Sequence, residues 1–252
     1  MRSAEDVARV IEFSTSGLNP YEIARVSGVP RETVRRWLAA GAEEVLADRA
    51  GNARDLHRCA LAEAAPPGPY AYLLGQYLGD GHITRHPRDV YRLVISCCDD
   101  YPGIIEECTS AMRAVMPTNT VGYRSRPGVV AVSSYSKHWP CLFPQHGPGH
   151  KHERRIVLTP WQERAVQVHA REFIRGLIHS DGCRATNRVR GQGRWYAYPR
   201  YFFKNESADI RMLFGWACDL VGVEWRYNRY NSISIARRES VALLDLFVGP
   251  KR

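Results

Sequence analysis

Lysine is nearly absent from this chain. Its 252 residues include four lysines (Lys137, Lys151, Lys204, Lys251), so 31 of the 35 basic residues are arginine. No apolar run reaches the roughly 18 residues that a membrane helix needs, which excludes a membrane-spanning role. None of the seven cysteines (Cys59, Cys97, Cys98, Cys108, Cys141, Cys183, Cys218) is in C-x-x-C spacing, and their number is odd. That argues against a structural zinc site and a disulfide scaffold, and for buried thiols in a reducing, cytoplasmic compartment. The first residues, Met1-Arg2-Ser3-Ala4-Glu5-Asp6, carry two acids with no long apolar core behind them, so no secretory signal is expected. Neither edge carries a splice-junction nucleophile, and the protein is expected to be free-standing. What is abundant is positive charge: 26 acids leave a net charge of +9. Arginine binds phosphate through a planar, two-pronged group that stays charged in any surroundings. Such an excess points to nucleic acid, although a GC-rich codon bias would give the same composition. Hydrophobic residues at 44% and charged residues at 24% are ordinary for a globular chain, long enough for one large domain or a small one plus a medium one.

The first forty residues read as three helices. Val7, Val10, Ile11 and Phe13 form an apolar stripe. Asn19-Pro20 starts a short second helix, with Asn as cap and Pro at its first position. Gly28 supplies the positive φ of a sharp turn, and Pro30 opens a third helix with Val34 and Trp37 on its buried side. Small Ala24 lets the second and third helices pack closely. This is helix-turn-helix spacing, and the exposed positions Arg31, Thr33, Arg35 and Arg36 would face bases and phosphates of a major groove. A small three-helix bundle with a solvated basic face has the same pattern. Residues 1–45 are therefore expected to form this domain and 46–69 a linker, marked by Ala64-Ala65-Pro66-Pro67-Gly68-Pro69. A further helix could lie in Ala42–Leu61. His57 and Cys59 have no second pair and are read as structural or exposed.

The rest of the chain repeats. Tyr70–Gly81 and Arg171–Gly182 are each an apolar helix ending in Asp-Gly, and Asp80 and Asp181 lie 101 positions apart. Repeat one (70–160) continues with a strand at Tyr91–Ser96, a helix after Pro102, and strands at Val121–Ser125 and Val129–Ser134 about the Pro127-Gly128 turn. Repeat two (161–252) continues with a strand at Tyr201–Lys204, a helix from Ser207, and strands at Glu224–Asn228 and Ser232–Ala236. Each closes in an apolar helix leading to Leu142-Phe143 or Leu246-Phe247. The fold class is α+β, with two αββαββα repeats. Gly75 and Gly79 share a helix face, as do Gly176 and Ser180, and small residues at this spacing let two helix backbones approach. If the two helices pack, Asp80 and Asp181 meet at their C-terminal ends. Paired carboxylates repel unless a cation lies between them, and Mg²⁺ (or Mn²⁺) suits such oxygen ligands. Gly79 and Ser180, beside the aspartates, are counted with the metal site. A single Asp-Gly run is an ordinary helix-ending turn; two copies with the same downstream order are not.

These two motifs, Leu73–Gly81 and Ile174–Gly182, resemble those of single-chain LAGLIDADG homing endonucleases, over about Tyr70 to the C-terminus. Leu78 and His179 stand at the motif's variable first acidic position, and Asp80 and Asp181 at the metal-binding one. The resemblance implies a pseudo-two-fold saddle of antiparallel sheets lying on double-stranded DNA. It implies Mg²⁺ at the two aspartates, cleavage across the minor groove, and a basic residue near each scissile phosphate. Lys151 and the more truncated Lys251 fit that place. Arg124, Arg126, Arg184, Arg188, Arg190, Arg194, Arg200, Arg226 and Arg229 would line the groove as a group, since a one-residue register shift exchanges faces. Trp195, Tyr196, Tyr198 and Tyr201–Phe203 are read as sheet core and hairpin packing rather than base-stacking groups. The expectation is a monomeric, nucleoid-associated, metal-dependent DNA endonuclease without membrane contact. The alternatives are a DNA-binding regulator that uses the saddle without cleavage and, third, a recombinase-like enzyme.

Overall fold

Asn19 shows how local chemistry sets the N-terminal helices α1 (Ala4–Thr15), α2 (Pro20–Ser27) and α3 (Arg31–Ala40). Its side chain accepts hydrogen bonds from the Tyr21 and Glu22 N–H groups at 3.0 and 3.1 Å, and Glu22 accepts from the Asn19 N–H at 2.9 Å. This reciprocal capping box satisfies donors that a helix start leaves unpaired. Gly28 ends α2 at φ 68°, its N–H bonded to the Ala24 carbonyl at 3.1 Å. Val7, Val10, Ile23, Val29, Val34 and Trp37 form the core of these helices. Arg31, Arg35 and Arg36 are exposed on α3, and Thr33 is half-buried. The computed structural model describes residues 4–41, 64–191, 193–249 and 251, in two compact units, Met1–Cys59 and Ala60–Arg252. The possible helix at Ala42–Leu61, with His57 and Cys59, lies outside the described residues.

The second unit carries both repeats. The first is α4 (Pro67–Asp80), β1 (Gly81–His86), β2 (Val90–Cys98), α5 (Pro102–Val115), β3 (Val121–Arg126), β4 (Val129–Ser136) and α6 (Trp139–Leu142). The second is α8 (Ala170–Asp181), β5 (Gly182–Gly191), β6 (Arg194–Lys204), α9 (Ala208–Leu220), β7 (Arg226–Arg229), β8 (Ser232–Ile235) and α10 (Arg238–Asp245). Between them lies α7 (Pro160–Val168), which the sequence pattern did not single out. The strand orders are β1-β2-β4-β3 and β5-β6-β8-β7, all antiparallel, so the two sheets have one topology. Pro67, Gly68 and Pro69, expected in the linker, instead form the first turn of α4. Proline is tolerated there because first-turn N–H groups have no partner within the helix. Among the described residues no helix is long and apolar enough to cross a membrane.

Cross-strand pairs share a face. In the first sheet the register places Ile83, Leu93, Ile95 and Val132 on the buried side. The Tyr123 hydroxyl donates to Thr109 Oγ1 of α5 at 3.1 Å, so Tyr123 also faces the helices. In the second sheet Tyr201, Phe203, Ile233 and Ile235 face inward, and Phe203 stacks on Phe214 of α9 with centroids 4.3 Å apart. The aromatic cluster therefore divides. Tyr201 and Phe203 are core as expected, but Trp195, Tyr196 and Tyr198 are 69, 40 and 50% exposed, so they belong to the β5–β6 hairpin and not to the core. β8 pairs with β6 only at residues 201–204, and the earlier part of β6 runs past the body of the sheet.

Candidate metal and nucleic-acid site

The two motif helices cross backbone to backbone. A β-carbon on Gly75 would meet the Phe173 carbonyl oxygen at 2.5 Å and the Leu177 nitrogen at 2.8 Å. One on Gly176 would overlap the Tyr72 carbonyl oxygen and meet the Gln76 nitrogen at 3.1 Å. These contacts are reciprocal. Phe173 and Leu177 occupy in the second motif the places that Tyr72 and Gln76 occupy in the first. Reciprocity of this kind marks a two-fold contact between like surfaces. A β-carbon on Gly79 would likewise collide with Ser180 Oγ and lie 3.0 Å from Asp181 Oδ2. The small-residue faces expected from spacing thus form the crossing itself, and they bring the two aspartate-bearing C-termini together.

Asp80 is exposed at the mouth of this junction and Asp181 is half-buried. Surrounding protein raises the Asp80 carboxyl from 3.8 to about 6, and the neighbouring Asp181 carboxylate pushes it further up against the pull of Lys151 and Lys251. Asp181 is raised as well, burial outweighing its hydrogen bond from Asn205 and the two lysines. Each aspartate also sits at a helix C-terminus, where the helix dipole disfavours negative charge.

Both expected lysines reach the junction. The Lys151 ammonium donates to the carbonyls of Tyr77, Gly79 and Gly81 at 2.6, 2.5 and 2.9 Å. Lys251 donates to the Ser180 carbonyl at 3.3 Å. Gly79 and Ser180 are equivalent positions, so each lysine caps the motif helix of its own repeat with one charge on the last turn. Burial lowers Lys151 from 10.5 to about 8, partly offset by Asp181 and Asp80. Lys251 is lowered by burial in the same way. The carbonyl oxygens of Gly79 and Ser180, counted with the metal site, face these ammonium groups.

Asn205 belongs to the site and was missed. Its Nδ2 donates to Asp181 Oδ2 at 2.6 Å, while its Oδ1 accepts from the Ser207 N–H at 2.8 Å. Nothing in the local sequence distinguishes it; only pairing of β5 with β6 brings it beside Asp181. Among the described residues no side chain donates to Asp80 in the same way. A cleft of about 290 Å³ opens here, lined by Gly79, His150, Lys151, Asp181, Lys204 and Asn205 among others. Two carboxylates, both raised by desolvation and Asp80 also by the Asp181 charge, form an all-oxygen donor pair suited to a hard divalent cation. His179 is not part of that pair. It is buried, with Nδ1 accepting from the Tyr72 hydroxyl at 3.1 Å and Nε2 donating to the Val248 carbonyl at 3.0 Å. Leu78, its counterpart, is core.

The expected groove arginines separate by face. Arg124 and Arg126 alternate with Tyr123 and so lie on the open face, turned away from the helices. Arg194, Arg226 and Arg229 lie on the open face of the second sheet with Arg200 and Lys204. Arg184 does not. It pairs across the strand with inward-facing Tyr201 and grips Asp245 of α10 with two bonds of 2.7 and 2.9 Å. Arg188 and Arg190 share its parity and fall on that same side, opposite the open face. One missed arginine joins the open face: Arg92, which donates to Ser133 Oγ at 2.9 Å. By register, Gly81 pairs with Ile95 and Gly182 with Phe203, so Arg92 and Arg200 are equivalent.

No family model matches the chain, and no curated protein matches it. Solved structures do. The homing endonuclease I-DmoI, in complex with DNA and Mn, is 14% identical with a TM-score of 0.49, covering 73% of this chain and 97% of its own. The LAGLIDADG meganuclease I-AabMI, bound to uncleaved DNA, is 8% identical with a TM-score of 0.45, covering 71% and 83%. The N-terminal LAGLIDADG domain of DUF199/WhiA is 14% identical with a TM-score of 0.46, covering 76% and 91%. At such identities the likeness assigns no role to any residue. The second unit is an α+β fold of two like four-stranded antiparallel sheets whose motif helices cross reciprocally.

Proposed function

We propose that this chain binds double-stranded DNA and hydrolyses one phosphodiester on each strand, with Asp80 and Asp181 holding divalent metal. The observation that carries this reading is the meeting of two carboxylates at the crossing of α4 and α8, both with raised pKa. Stability alone does not recommend such a pair. Mg²⁺ or Mn²⁺ there would supply Lewis-acid charge and lower the pKa of bound water. The chain's own residues do the rest. Asn205 fixes the orientation of Asp181 through Oδ2. Lys151 and Lys251 keep positive charge beside the place where phosphate oxygens gain negative charge. Arg92, Arg124, Arg126, Arg194, Arg200, Arg226 and Arg229 present guanidinium groups on the open faces for phosphates and guanine edges. The N-terminal helices act as a helix-turn-helix, with Arg31, Thr33, Arg35 and Arg36 of α3 on the duplex. The protein works in the cytoplasm, on the nucleoid, as a monomer whose two repeats serve the two halves of the target.

A second reading, a DNA-binding regulator that does not cut, has one observation in its favour. All three Lys151 donors are already taken by the backbone carbonyls of Tyr77, Gly79 and Gly81, which makes it a structural cap without a free hydrogen for phosphate. One experiment decides. Purified protein is incubated with a genomic DNA library and Mg²⁺, beside Asp80→Asn and Asp181→Asn, with chelator controls. Metal-dependent double-strand cuts, absent in both variants, are expected. Retention of specific duplexes by all three proteins with no cuts would establish the regulator instead.

A further inference from the structure

Cys97 holds in the first repeat the place that Asn205 holds in the second. Each lies two residues beyond the strand partner of its motif glycine, Ile95 opposite Gly81 and Phe203 opposite Gly182. Asn205 secures Asp181 with an amide hydrogen bond. On the Asp80 side a thiol stands instead, near enough for the Asp80 charge to act on it. The amide has one chemical state under physiological conditions, whereas a thiol can be oxidised and restored.

This thiol has a partner. Cys97 lies on the inward face of β2 with Leu93 and Ile95, and Cys108 lies on the buried side of α5 with Ile104 and Met112. The two thiols share a hydrogen bond between sheet and helix. Most buried cysteines only pack, as small hydrophobes. Two in hydrogen-bonding contact, on elements that face each other, need a shift of about 2 Å to reach disulfide bonding distance. The hydrogen bond from Cys108 holds the Cys97 thiol below its ordinary value and pushes Cys108 up, so Cys97 is the readier nucleophile. Cys97 is also the one that a small oxidant meets first, at 5% exposed against 0% for Cys108.

We propose that Cys97 and Cys108 form a reversible oxidation site, closed to a disulfide by a hydroperoxide and reopened by thiols, and that closing it weakens metal binding at Asp80. The second part rests on the metal reading above. In the first step the Cys97 sulfur attacks one oxygen of hydrogen peroxide. The O–O bond breaks, and water leaves with the Cys97 proton, giving a sulfenic acid. The Cys108 sulfur then attacks the Cys97 sulfur. The S–S bond forms, the S–O bond breaks, and hydroxide leaves with the Cys108 proton as water. The two thiols lose two electrons to the peroxide. Gly81 follows Asp80 directly and pairs with Ile95, so drawing the end of β2 toward α5 passes to the carboxylate. Asp181 keeps Asn205, so the two halves respond unequally. In a reducing compartment the pair stays open until peroxide rises.

The test uses the full chain, reduced and then treated with stoichiometric hydrogen peroxide, in a Cys98→Ser background that removes the neighbouring thiol. Cleavage after Glu107 separates Cys97 from Cys108 in sequence. Mass spectrometry should find these two fragments joined, with the loss of two hydrogens, until dithiothreitol is added. Cys108→Ala should form no such bridge and should leave Cys97 as a sulfenic acid captured by dimedone. Reduced protein at pH 7 should gain melting temperature with Mg²⁺. Bridged protein should lose most of that gain and recover it on reduction. Fragments that separate without reductant would overturn the oxidation site, and an Mg²⁺ gain equal in bridged and reduced protein would overturn its link to Asp80. If reduced protein gains nothing from Mg²⁺, the metal reading falls and takes that link with it, while the joined fragments still score the oxidation site.

Discussion

His179 stands where its counterpart Leu78 is plain core, and the difference has a thermodynamic consequence. The ring is buried between the Tyr72 hydroxyl and the Val248 carbonyl, with Glu107 3.7 Å from Nδ1. Burial dominates and lowers its pKa from 6.5 to about 4, against the pull of the Val248 hydrogen bond. The folded chain thus keeps His179 neutral in a range where the unfolded chain takes up a proton. Stability from this residue is present above about pH 6.5 and is lost as pH falls toward 4, by roughly 3 kcal/mol. The stability of His179→Gln, which keeps one hydrogen bond and does not titrate, should rise relative to wild type by roughly 3 kcal/mol on going from pH 7 to pH 4 in urea unfolding. A second prediction concerns the crossing. Gly176→Ala drives a methyl group into a helix carbonyl that has no room to retreat, and should cost about 3 kcal/mol or more. Gly122→Ala, with open space around its β-position, should stay within about 0.5 kcal/mol.

The element scale separates the two lysines, which look alike in sequence. Lys151 closes the end of α4 with three carbonyl bonds, whereas Lys251 closes α8 with one longer bond. Lys151→Met should therefore lower unfolding free energy by about 2 kcal/mol, and Lys251→Met by less than about 1 kcal/mol, measured in urea. Both lysines were singled out by what the family resemblance implies, at matching places after the last apolar residues of each repeat. Most of the fold was legible from repetition. The small-x-x-x-small faces, the Asp-Gly ends and the order of strands and helices are local patterns that occur twice. What escaped was non-local or had no period. Asn205 is placed by strand pairing, and α7 lies in a connector without a copy among the described residues. Arg184 looked like its neighbours until the register paired it with Tyr201, on the side where its guanidinium reaches Asp245. Trp195, Tyr196 and Tyr198 have the composition of a buried strand, and only the shortness of β8 leaves them outside.

Across the whole molecule, two proton-linked effects oppose one another. Asp80 is raised to about 6, so its folded form holds a proton that the unfolded chain releases near its ordinary 3.8. Its contribution is present below about pH 4 and lost as pH rises through about 6, the opposite direction to His179. In metal-free protein the two slopes subtract between pH 4 and 6.5, and Asp181, also raised, adds to that of Asp80. Asp80→Asn should expose a fall toward acid, and His179→Gln a fall toward neutrality, by differential scanning fluorimetry. At pH 7, Mg²⁺ should raise the melting temperature of the wild type and leave Asp80→Asn unmoved, because a ligand stabilises only the state that binds it. A chain with two copies of one design is free to vary wherever the copies do not touch. Here Gly75 and Gly176 form a seam that neither half can alter alone. Away from it the halves have already parted: leucine against histidine, three lysine bonds against one, a backed hairpin against a free ribbon. Restraint concentrated on one seam lets each half acquire its own vocabulary around a centre that both must keep.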